Sequence, residues 1–237
     1  MRFPTRTPAD DVADEHDAPS SSPLVLSVLL TRFCRNLVDA TALGDVPFIL
    51  LIAGLLTTFM GIYTILYYIN LFAMERASAA DNLSSYILII MNGASTVGRI
   101  LPSALAGLIG PTHVLAATAF FTGVLAFCSL ALESAASIIV WAIIIGSTAG
   151  AFMGLPAAGV VSVSNSRSNI GARLGMTFGT VGCGVLIAEP IAGAILGRPE
   201  GGWLGLVAWT GALMLAGSMF LVAARTAKVG CKLRMVI

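Results

Sequence analysis

Six long apolar blocks dominate the sequence: Val46 to Phe72, Leu83 to Gly107, His113 to Leu132, Ser137 to Val161, Leu174 to Leu196 and Trp203 to Ala224. A helix needs roughly 20 largely uncharged residues to cross the hydrocarbon core of a bilayer, and each block meets that requirement. Membrane-spanning strands would instead alternate apolar and polar residues over about 10 positions, and no block alternates in that way. Of the 237 residues, 57% are hydrophobic and 11% charged, against roughly 25% charged in an ordinary soluble domain. A soluble core has no use for so much apolar surface. The sequence therefore predicts an all-α polytopic membrane protein with six transmembrane helices over residues 46–224. A largely disordered cytosolic tail and linker over 1–45 and a basic cytosolic tail over 225–237 flank it.

Orientation follows from the basic residues, because cytoplasmic loops retain Lys and Arg. With the amino terminus inside, Arg2, Arg6, Arg32, Arg35, Arg99, Arg167, Arg173, Arg225, Lys228, Lys232 and Arg234 fall on or near the cytoplasmic side, and Arg76 and Arg198 face out. Both termini are thus expected in the cytoplasm, with the plasma membrane preferred over the vacuolar membrane. The net charge of +1 gives no reason to invoke nucleic acid; the distribution of charge carries the information. Residues 1 to 23 are polar and acidic and lack the basic start and apolar stretch of a signal peptide. Leu24 to Leu30 is apolar but too short to span, which suits an interfacial segment or a linker.

Chemistry-bearing residues are few. Cys34, Cys128, Cys183 and Cys231 have no paired spacing, and His16 and His113 have no ligand partners nearby, so no disulfide or metal framework is readable. No phosphate-cradling loop, HExxH pair or nucleophile beside a base appears, and neither an enzyme nor a cofactor is expected. The fourth span carries Gly146, Gly150 and Gly154 at four-residue intervals, a face without side chains that lets a neighbouring helix approach. The fifth span repeats the device with Gly171, Gly175, Gly179 and Gly182. Such stripes serve packing, or let helices rock against one another.

Glu189 is the sharpest single residue, since a carboxylate inside a span is costly and usually faces a cavity, a partner or a proton path. At about 100° per residue it shares a sector with Gly171, Gly175 and Gly182. Pro190 follows it and removes a backbone donor, which makes a hinge there an expectation. In the second span Asn92, Ser95 and Arg99 share one helical face. Arg99 has three competing accounts: an anionic substrate contact, a pair with an acid, or a side chain snorkelling to the cytoplasmic surface. Tyr63, Tyr67, Tyr68 and Asn70 form an aromatic and polar outer end of the first span, which interface anchoring explains; Tyr67 or Tyr68 could also cap a substrate path.

The order and spacing of GRILPSALAGLIGP, the Leu155 and Pro156 pair, IGARLGM from Ile170 to Met176 and EPIAGAIL from Glu189 to Leu196 resemble helices seven to twelve of the fungal monocarboxylate-transporter-like branch of the major facilitator superfamily. The resemblance covers roughly residues 36 to 228. It implies half of a major facilitator fold and a secondary transporter of small organic solutes, often carboxylates, working by alternating access and sometimes with a proton. Animal members carry an Asp four residues before the Arg matching Arg99; here Ser95 stands there. Relatives also carry an acidic residue in an ADxxG pattern after the second span, where this chain has Gly107. The full fold has two six-helix halves of like orientation around a midplane site. Pairing with a missing amino-terminal half and a parallel homodimer are therefore both compatible with one half. The competing expectations are a truncated, non-transporting membrane protein that only associates with partners, and an efflux pump of a fungal biosynthetic pathway. The topology is directly testable: tags at either end should be protected in sealed cells and reached only after permeabilisation, and an accessible tag at one end would overturn the six-span arrangement with both ends inside.

Overall fold

A computed structural model describes residues 42–77, 81–132, 134–164, 170–198 and 202–229. The expected tails, apart from the stretches 42–45 and 225–229, and with them Leu24 to Leu30, Cys34 and Cys231, lie outside the described residues. Among the described residues the helices are α1 (Val46–Ala77), α2 (Asp81–Gly98), α3 (Ile100–Ile109), α4 (Pro111–Cys128), α5 (Ala135–Met153), α6 (Pro156–Val163), α7 (Ile170–Leu196) and α8 (Gly202–Val229), with short 3-10 turns at Ala42–Gly44 and Ser129–Ala131. Six stretches are long and apolar enough to cross a membrane: Val46–Glu75, Tyr86–Ile109, Pro111–Ala131, Ala135–Val163, Ile170–Leu196 and Gly202–Lys228. The second joins α2 to α3 and the fourth joins α5 to α6.

Both interruptions precede a proline. Pro102 has no N–H to donate to the Gly98 carbonyl and its ring crowds that group. The helix breaks at Arg99, whose carbonyl accepts from the Ser103 N–H at 3.4 Å and the Ser103 hydroxyl at 2.5 Å. Pro156 acts likewise on Phe152 and opens α6 at the first helical position, where an N–H is not needed. Pro190, where the sequence suggests a hinge, sits inside an unbroken α7. Gly110 turns the chain from α3 into α4 with φ of 93°, a conformation that costs glycine nothing.

The bundle is assembled from helix pairs: α8 lies against α1 and α4, α2 against α5, and α7 against α1. Phe48, Leu51, Leu55, Leu115, Phe152, Met214 and Leu221 form one buried cluster, and Ile69, Phe72, Ile87, Met91, Ile138, Trp141 and Ile145 a second. Lipid tails are as apolar as these side chains, so close packing rather than expulsion of water must hold the helices together. The α2–α5 pair shows how. Gly146 lies on Met91, Gly150 on Ser95 and Gly98 on Ser147, and a side-chain carbon at Gly98 or Gly150 would overlap the facing backbone.

Polar clamps fix the helix ends. The Asp45 carboxylate, just before α1, pairs with Arg173 in the first turn of α7 at 3.1 Å, and the Arg173 guanidinium lies 5.0 Å from the Phe48 ring centre. Arg173 is only 3% exposed. A cation in the first turn opposes the helix dipole, so the facing carboxylate is what makes this position tolerable. Trp203 at the start of α8 donates to Glu75 near the end of α1 at 2.6 Å, and the Lys228 ammonium donates to the Val163 carbonyl at the end of α6 at 2.8 Å.

The α2–α5 contact makes an expectation for stability. Gly150→Leu should destabilise the detergent-solubilised chain by about 1–3 kcal/mol, the usual range for overpacking, and lower its thermal midpoint. Gly93→Leu, on α2 with no atom within 4 Å, should not. Equal midpoints for the two variants would refute the close backbone approach.

Candidate functional site

The spans built from α2 with α3 and from α7 are the least covered, with 17% and 22% of their residues buried against 44% or more for the other four. Between these spans and α1 lies an open cleft of about 520 Å³. Phe59 and Tyr63 line it from α1, Phe178, Val181, Gly182 and Val185 from α7, Met153 from the end of α5, and Arg99 from the break between α2 and α3. Phe59, Arg99 and Gly182 each sit near the middle of their own spans, which places the cleft at mid-depth.

That position bears on the snorkelling account of Arg99. Ten residues of α3 follow it to Ile109, which at 1.5 Å per residue is about 15 Å of further helix, more than an extended arginine covers. The side chain is exposed, it opens onto the cleft, and it has no acidic partner among the described residues. Its aliphatic stem runs beside Gly154, where an added Cβ would be in ordinary contact, 3.5 Å from the Arg99 Cγ.

Other residues singled out from sequence fall elsewhere. The Asn92 amide donates to the Leu88 carbonyl at 3.0 Å, and the Asn92 carbonyl accepts from the Ser95 hydroxyl at 2.8 Å, so both side chains are occupied within their own helix. Gly146 and Gly150 belong to the α2–α5 contact, whereas Gly171, Gly175, Gly179 and Gly182 have no described atom near the place a Cβ would take. Tyr67 is 69% exposed and its ring packs edge-on against Tyr68 at 5.1 Å, outside the cleft lining.

Glu189 lies two turns beyond Gly182. Both its carboxylate oxygens are shielded and have no hydrogen-bond partner among the described residues, and its backbone carbonyl accepts from the Tyr68 hydroxyl at 3.4 Å. It does not line the cleft. Sequence inspection missed Phe59, Met153 and Phe178 and read Tyr63 as an interface anchor. Their signal was present as i, i+4 pairs, Phe59 with Tyr63 and Phe178 with Gly182, each on one helix face.

Comparison with known proteins gives consistent relatives. The MFS-type transporter dbaD of Emericella nidulans is 36% identical over 191 residues, 80% of this chain and 43% of its own length. MFS-type transporter 1 of an Ophiocordyceps species is 32% identical over 208 residues, 87% of this chain and 44% of its own. The fujikurins efflux protein of Gibberella fujikuroi is 32% identical over 187 residues, 78% and 40%. The chain thus spans less than half the length of the relatives it matches. No family model matches it, and no solved structure does so significantly.

The shielded, unpartnered carboxylate leads to a further expectation. Glu189→Gln removes a formal charge without changing shape and should leave the thermal midpoint unchanged or raised, with membrane insertion intact. A fall of several degrees would show that the carboxylate has a partner that holds it.

Proposed function

Because the chain has the fold of one six-helix half of a major facilitator superfamily protein and its homologues are fungal MFS-type transporters, we propose that it serves the transmembrane passage of a small organic solute by alternating access. The mid-span cleft is its share of the binding site, and Arg99 is the contact for an anionic group. The observation that carries this is a guanidinium with no acidic partner among the described residues, opening onto a cleft at mid-depth, since substrate sites of such folds lie between two halves near the midplane. The other half is supplied by a second six-helix segment or by a parallel second copy. Both termini lie in the cytoplasm, and the plasma membrane is the preferred site.

Export fits better than uptake of a small monocarboxylate. Three relatives are named as efflux proteins, for aspyridones, fujikurins and agnestins, and a cleft of about 520 Å³ falls in the range of about 300–1,000 Å³ typical of drug-sized ligands. A proton path through the position four residues before Arg99 finds no support, because Ser95 is neutral and its hydroxyl is given to the Asn92 carbonyl. A second reading is a membrane protein that only associates with partners.

Expression in a transport-deficient yeast separates the two. Efflux of a preloaded labelled metabolite should exceed the empty vector, labelled lactate uptake should not, and Arg99→Gln should cut efflux at least about tenfold, the cost of one lost charged hydrogen bond. Flux equal to the vector for every solute would leave the association reading in place.

A further inference from the structure

We infer that the cleft is built for a planar aromatic anion rather than for a small aliphatic carboxylate; this deepens the transport reading and rests on the same cleft. The carrying observation is the company Arg99 keeps. Tyr63 and Phe178, from two different helices, line the cleft with it and remain 42% and 47% exposed, so their rings are not absorbed into the core of the bundle. Tyr63 is oriented from beneath: its ring is stacked with Phe59 at 6.1 Å, and Phe59 is itself held edge-on by Phe152 at 5.3 Å. The aromatic wall is therefore anchored in the buried cluster.

A guanidinium is planar, binds carboxylates through two parallel hydrogen bonds and stacks on aromatic faces. Among the described residues no acidic side chain lines the cleft to compete for it. A solute of lactate's size would satisfy Arg99 and leave the ring walls bare. A planar aromatic acid or enolate meets both, with its charged oxygens on Arg99 and its ring against Tyr63 and Phe178. Aromatic contacts are sensitive to ring orientation as well as to area, so the cleft should distinguish a flat ring from a saturated one of the same skeleton.

The test is equilibrium binding by calorimetry to the full chain in nanodiscs, with three probes: 2-naphthoate, its fully saturated analogue and 2-naphthalenemethanol. Two ring contacts, each worth about 2- to 10-fold, should make 2-naphthoate bind on the order of tenfold more tightly than the saturated acid. It should also bind more tightly than the alcohol. Tyr63→Leu and Phe178→Leu should each shrink the ratio between the two acids, while Arg99→Gln should weaken both acids and preserve that ratio. Thermal midpoints close to the parent chain's establish that the variants are folded. Equal affinity for the two acids, a ratio unchanged by both leucine variants, or no binding of 2-naphthoate would each overturn the inference. The expected binding pattern without flux in the yeast assay would remove the transport reading and leave this one standing.

Discussion

Hydrocarbon offers no water to a polar group, and the structure depends on that constraint throughout. Every backbone amide and carbonyl in a span must be satisfied within the chain, which is why the spans are helices and why they break beside prolines. The same rule governs the side chains. Thr57, Thr64, Thr118, Thr122, Thr177 and Thr210 each return their hydroxyl to a carbonyl one turn back, and the Trp141 indole donates to Leu125 on α4 at 2.7 Å. Among the described residues the exceptions are few: the Glu189 carboxylate, the Thr58 hydroxyl, the Asn70 amide oxygen and the Trp209 indole N–H are shielded without a hydrogen-bond partner, and the exposed Arg99 guanidinium has no acidic partner.

Small residues then determine where the guanidinium lies. Gly98 and Gly150 bring α2 and α5 to backbone contact, and this contact sets the depth and rotation of the break at which Arg99 sits. Gly154 continues the same face and lies beside the arginine stem. One stripe thus joins packing to site geometry, whereas the stripe on α7 is left uncovered and contributes open space beside the cleft.

The six spans were legible because bilayer thickness turns hydropathy into length, and the observed ends differ from those read off the sequence by a few residues at most. The breaks were only half legible. Pro102 and Pro156 follow glycines, at Gly98 and Gly154, where the chain yields easily, while Pro190 is preceded by Leu186 to Glu189 and the helix continues through it. Arg99 was visible as an oddity in an apolar span. The aromatic wall was not, because it depends on α1 and α7 being neighbours, and helix adjacency is not written in hydropathy. Tyr63 looked like part of an interfacial belt with Tyr67 and Tyr68 until α1 proved to be 32 residues long, which places Tyr63 near its middle.

The Asp45–Arg173 pair bears on how such a chain is assembled. An arginine in the opening turn of an apolar helix is costly to place in a membrane, and here its compensating carboxylate lies more than a hundred residues earlier, at the start of the first span. Breaking a buried pair by removing one partner costs about 3–5 kcal/mol, so the seating of α7 is contingent on α1 already standing in place. Synthesis from the amino terminus supplies the partners in that order, the acid before the base, so the contact that seats the later helix is one the earlier helix brings with it.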